Sequence, residues 1–131
     1  MQFVTFKLGE EHLAINTKKV QSINEMIPVT KVPKAPKYIK GLINLRGSIK
    51  PLVDISMLLS IEDDNIQQNI IIIQINDEEV AIAVDEVVEV LDIEKEKFQD
   101  LNNNDKEYIL GVVELNNEII TIIDVEKILN I

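Results

Sequence analysis

The chain has 131 residues, enough for one domain or two very small units that share a core. Cysteine is absent and histidine occurs once, at His12, which excludes disulfides, thiol nucleophiles, thiolate metal centres and sites built on several imidazoles. Net charge is −10 but unevenly spread: residues 1–50 carry nine Lys/Arg against three Asp/Glu, residues 51–131 four against twenty, so two faces suited to different partners are expected.

Isoleucine fills 23 positions, aromatics reach only 4% and tryptophan is missing, a composition that favours strands over helices. In chain order, Phe3–Leu8 reads as a strand, Gly9-Glu10-Glu11 as a hairpin turn and His12–Ile15 as the returning strand. Thr17–Ile23 has apolar residues at helical or mixed spacing, and Glu25–Val29 reads as a third strand. A polar connection, Lys31–Lys37, precedes a hairpin of Gly41–Leu45 and Ile49–Ile55 with Arg46-Gly47-Ser48 as its turn.

The same punctuation then recurs. Ile70–Ile75, the turn Asn76-Asp77-Glu78 and Val80–Val84 repeat the opening hairpin at a shift of 67 residues. Asp85–Val90 and Val88–Ile93 repeat the short segment and the third strand, and Glu94–Glu107 is the second polar connection. Gly111–Leu115 and Ile119–Val125, with the turn Asn116-Asn117-Glu118, repeat the last hairpin at a shift of 70. Val125–Ile131 reads as a closing helix. Two copies of about 60 residues, with five short strands each, point to an all-β fold of two small barrels in tandem. The longest apolar run, Ile70–Ile73, is far shorter than the roughly 20 residues of a spanning helix. The opening MQFVTFKLGEEH lacks the layout of a signal peptide, so a soluble intracellular protein is expected.

The segment from Pro33 to Asp54 spells P-x-x-P-x-Y-I-x-G-x-x-N-L-R-G-x-I-x-P-x-x-D. It resembles the signature of the CheW family, the adaptor proteins of bacterial chemotaxis, and the likeness extends over nearly the whole chain. The resemblance implies a single CheW-like domain over 1–131, with two five-stranded SH3-like β-barrel subdomains and a few short helices. Their bounds are near 10–65 and 70–125, with strands exchanged at the ends. It also implies a non-catalytic protein without cofactors that is cytoplasmic and recruited to the inner face of the membrane through receptors. Its partners would be the regulatory domain of the histidine kinase CheA and the cytoplasmic tip of methyl-accepting chemoreceptors. The family works inside larger signalling arrays, and the chain by itself is expected to be a monomer.

On the same grounds an apolar groove between the barrels is expected to bind receptor through Val20, Ile23, Val84, Val87 and Val90, with Arg46 as a further receptor residue. Arg46 stands where the second copy has Asn116, the less strained choice for a tight turn, which marks it for a specific role. Related sequences place Glu where this chain has Ser22, so Glu25 is the candidate to orient Arg46. The kinase-facing surface is expected at a barrel end, on Lys40, Leu42, Ile43, Asn44, Leu45 and Ser48, only part of which can face outward on one strand.

Other residues read as structural. Gly41 and Gly47 give permissive backbone, and Pro33, Pro36 and Pro51 fix loop φ or mark an edge strand. Asp54 and Asp124, equivalent in the repeat, are each expected to cap the next turn or helix. His12, Glu62-Asp63-Asp64 and Asp77-Glu78-Glu79 read as solvated. An alternative function is nucleic-acid binding by a small barrel through the basic stretch 31–50, although Tyr38 is the only aromatic there and the net charge opposes phosphate.

Overall fold

Short β-branched runs broken by turn residues fold as ten strands and two short helices among the residues described by the computed structural model, 1–94, 97 and 106–129. The first copy supplies β1 (Gln2–Leu8), β2 (Glu11–Asn16), a 3₁₀ turn (Thr17–Lys19), β3 (Val20–Glu25), β4 (Ile39–Leu45), β5 (Ser48–Asp54) and α1 (Ile55–Leu58). The second supplies β6 (Asn69–Ile75), β7 (Glu78–Val84), β8 (Glu86–Asp92), β9 (Ile109–Leu115), β10 (Glu118–Ile123) and α2 (Val125–Leu129). Most of the expected connection Glu94–Glu107, and the end of the closing helix beyond Leu129, lie outside the described residues.

The strands form two five-stranded SH3-like sheets, ordered β8-β1-β2-β10-β9 and β3-β6-β7-β5-β4. Each draws on both copies. Pairing is antiparallel except between β2 and β10 and between β5 and β7. The duplication survives in the register: Val20 opposite Ile73 and Ile23 opposite Ile71 are matched by Val87 opposite Phe6 and Val90 opposite Val4. Leu52 opposite Ala81 is likewise matched by Ile122 opposite Ala14.

Strand pleating explains the isoleucine run. Ile70 and Ile72 point into a cluster private to the second sheet, with Ile43, Leu52, Ala81 and Ala83. Ile71, Ile73 and Ile75 point the other way, into a cluster shared with Val4, Phe6, Leu8 and Ile15 of the first sheet. A strand buried on both faces needs no polar alternation. Each aliphatic side chain so buried contributes about 1.5–3 kcal/mol, and the shared cluster is what welds the two sheets.

Three expectations are corrected. The third strand runs Val20–Glu25 rather than Glu25–Val29, and only the 3₁₀ turn precedes it. Met26, Ile27 and Val29 instead pack on the second sheet's private cluster from outside the ladder, where Pro28 has no N–H to offer a strand. In the second copy β8 is continuous from Glu86, so 85–90 holds no helical segment. Pro51 is not on an edge strand: β5 lies between β7 and β4. It is tolerated because the parallel ladder with β7 starts one residue later, at Leu52.

Candidate functional site

β3 and β8 each end one of the two sheets, and the repeat places Val20 and Ile23 on one where Val87 and Val90 stand on the other. Val20 and Val87 are half-buried against the shared cluster. Ile23 and Val90 point to solvent, 41% and 52% exposed. Val88, at 43%, extends the apolar strip and was not anticipated, because it is the extra residue of a bulge opposite Thr5 and Phe6, which strand alternation does not reveal. Val84 is different. It is completely buried in the shared cluster and has no surface to offer a partner.

The second candidate surface is the end of the β4–β5 hairpin. Leu45 pairs with Ser48, so the loop is the two residues Arg46 and Gly47, with φ of 54° and 84°. That is the geometry of a type I′ turn, whose twist suits the flanking strands. Asn116 and Asn117, with φ of 53° and 65°, make the same turn in the second copy. The side chain of Asn44 accepts a hydrogen bond from the Gly47 N–H at 2.9 Å and holds the loop shut. Arg46, Asn44 and Ser48 are exposed, while Lys40, Leu42 and Leu45 are half-buried. Lys40 donates to the Gln67 side chain. Ile43 is 1% exposed and belongs to the second sheet's core. Among the described residues no ion pair joins Arg46 to Glu25; the Ser22 hydroxyl accepts from the Asn24 side chain at 3.0 Å.

The structural residues fall into place around these surfaces. Asp54 Oδ1 accepts from the N–H of Ser56 at 3.2 Å and Asp124 Oδ1 from that of Glu126 at 3.1 Å, so each caps the helix after its hairpin. Both also donate a backbone N–H to the carbonyl of the equivalent tyrosine, Tyr38 or Tyr108, at 2.7 Å. Gly41 is required on steric grounds, since a Cβ there would lie 2.3 Å from the Thr30 carbonyl oxygen, where Thr30 pairs antiparallel with Leu42 of β4. His12 is not simply solvated, for its Nδ1 lies 3.4 Å from a Glu118 carboxylate oxygen. Among the described residues no group of three His, Asp or Glu is arranged to hold a metal ion.

Two clefts related by the repeat were not foreseen. One, of about 760 Å³, lies between Tyr38, Ile49 and Lys50 of the first copy and Ile128 and Leu129 of α2. The other, of about 270 Å³, lies between Tyr108 and Thr121 of the second copy and Leu59 after α1. Ile49 and Ile119, equivalent in the repeat, are 60% and 66% exposed beside the hairpin turns. Their shared position at a shift of 70 was the available signal.

These geometries can be set against known proteins. Residues 2–131 match the model of the CheW-like domain. The chain is 31% identical to the chemotaxis protein CheW of Thermotoga maritima, over 98% of this chain and 87% of that one. It is 31% identical to the CheW of Klebsiella aerogenes, over 98% and 81%. The crystal structure of the scaffolding protein TtCheW from Thermoanaerobacter tengcongensis superposes with a TM-score of 0.83 at 28% identity, covering 94% of this chain and 83% of that one. The fold, the duplicated register and these likenesses agree: the chain belongs to the CheW-like family.

Proposed function

We propose that this protein is a non-catalytic adaptor of bacterial chemotaxis that couples methyl-accepting chemoreceptors to the histidine kinase CheA. Family membership supports the role, and one structural observation carries the mechanism: equivalent edge strands expose Ile23 and Val90 on the two sheets joined by the shared core. Such a row of aliphatic anchors suits the apolar face of a helix. The receptor surface is accordingly Ile23, Val90 and the half-buried Val20 and Val87, and Arg46, in the turn of the β4–β5 hairpin, is a further receptor contact beside the kinase surface. Val84 supports them from the core. The kinase surface is the hairpin end, where Asn44 and Ser48 are exposed beside Lys40, Leu42 and Leu45, and Ile43 anchors the strand from below.

An adaptor of this kind works in the cytoplasm beside the membrane, held there by its receptor; among the described residues no helix is long and apolar enough to cross a bilayer. It acts as a monomer that joins larger arrays through its partners. The nucleic-acid reading of residues 31–50 gains no support, since Lys40 is engaged by Gln67 and Lys50 lies 3.5 Å from Glu79. The test is a binding titration with a receptor cytoplasmic hairpin. Ile23→Asp with Val90→Asp is expected to weaken binding at least tenfold in a protein that melts like wild type. Unchanged binding by that folded variant would contradict the assignment.

A further inference from the structure

The connection between α1 and β6, residues 59–68, runs over the place where the two sheets meet. Asp85 stands between β7 of one sheet and β8 of the other and is 6% exposed. Its backbone N–H donates to the Lys7 carbonyl at 3.1 Å and its carbonyl accepts from the Gln68 N–H at 3.0 Å. Its Oδ2 accepts from the Gly9 N–H at 2.8 Å and from the Asn65 side chain at 3.0 Å. Asp63 Oδ1 accepts from the Asn65 N–H through a local turn. The connection is also pressed onto the first hairpin turn, for a Cβ on Gly9 would lie 2.4 Å from the Glu62 carbonyl oxygen.

That leaves two carboxylate oxygens, Asp63 Oδ2 and Asp85 Oδ1, buried and without a donor among the described residues. Asn65 joins the two carboxyl groups, its backbone N–H donating to Asp63 and its side-chain amide to Asp85. Both ionised, they would repel at a site with little water. One proton converts the repulsion into a short, charge-assisted O–H···O bond. We propose that Asp63 and Asp85 share a single proton and so form a carboxylic acid–carboxylate clamp that ties the inter-copy connection to the junction of the two sheets. The clamp is independent of the assignment of partners.

The electrostatics agree. Burial, the bond to Asp85 and the negative charges of Asp85 and Asp54 together push the Asp63 carboxyl up to about 6, against the opposing pull of the Asn65 N–H. Around the pair stand Lys7 on β1, Lys40 on β4, Asp54 on β5, Asp64 in the connection and Glu86 on β8. The folded chain therefore holds this proton more tightly than the unfolded chain, whose value is 3.8. The clamp's contribution is complete below about pH 4 and is lost as pH rises through about 6. β8 starts one residue after Asp85, so ionisation loosens the root of an edge strand.

The test is a carboxyl and amide NMR titration of the whole chain. The Asp63 carboxyl is expected to titrate near pH 6, with the Gly9 amide following the same midpoint. In Asp63→Asn the side-chain amide donates permanently to Asp85. The Gly9 response then disappears, and the thermal midpoint at slightly alkaline pH rises above wild type. An Asp63 midpoint near that of a free carboxyl would overturn the proposal, as would an Asn variant less stable than wild type at alkaline pH. So would a saturable shift of the Gly9 amide by millimolar calcium that the Asn variant lacks, which would make the pair a cation site.

Discussion

Arg46 takes a left-handed conformation, φ 54°, at a position where its counterpart is Asn116. A long side chain there costs about 1 kcal/mol that Asn largely avoids. Arg46→Asn is therefore expected to raise the denaturation midpoint by about 1 kcal/mol of stability while weakening receptor coupling. A variant that is less stable would make Arg46 a structural residue. The two caps give a graded comparison. Asp124 Oδ1 takes the N–H groups of Glu126 and Lys127, whereas Asp54 Oδ1 takes the Ser56 N–H, the Ser56 hydroxyl at 2.5 Å and the Gln67 side chain at 3.3 Å. Loss of an N-cap costs about 1 kcal/mol, so Asp124→Ala is expected near that figure and Asp54→Ala above it, as read by chemical denaturation. Equal losses would mean that the Ser56 and Gln67 bonds contribute nothing. The caps were legible in the sequence because Asp recurs at the same place in both copies. The Asp63–Asp85 pair was not, since its members come together only through the path of a connection.

At the scale of elements, the edge strands separate packing from binding. Val84 and Val90 are chemically identical and lie six residues apart, yet one is sealed in the shared core and the other is 52% exposed. Val84→Ala is expected to cost about 2 kcal/mol, and Val90→Ala less than about 0.5 kcal/mol, by denaturant unfolding. If the two losses were equal, the division of this strip into core and surface would be wrong. Sequence periodicity could not draw that division. The family resemblance grouped Val20, Ile23, Val84, Val87 and Val90 through their matching aliphatic segments, whereas exposure depends on which strand ends a sheet. The same limit explains the third strand. Glu25–Val29 is as apolar as Val20–Glu25, but Pro28 and the free edge of β6 decide which of the two pairs.

At the scale of the molecule, duplication was the most legible feature, because two shifts of 67 and 70 residues align turns, glycines and aspartates without reference to coordinates. The ladders then keep those shifts residue by residue. What the duplication leaves free is where the copies differ: Arg46 against Asn116, and the Lys-rich 31–40 connection against its acidic counterpart. In the proposed mechanism two surfaces of one welded core serve two partners. The most direct measurement is a calorimetric titration of the chain with the regulatory domain of its kinase, in wild type, in Ile23→Asp with Val90→Asp, and in Leu45→Asp with Ser48→Arg, each shown to be folded. Saturable one-to-one binding is predicted for wild type and the first variant, and its loss in the second. Binding that survives in the second variant or vanishes in the first would contradict the division of surfaces.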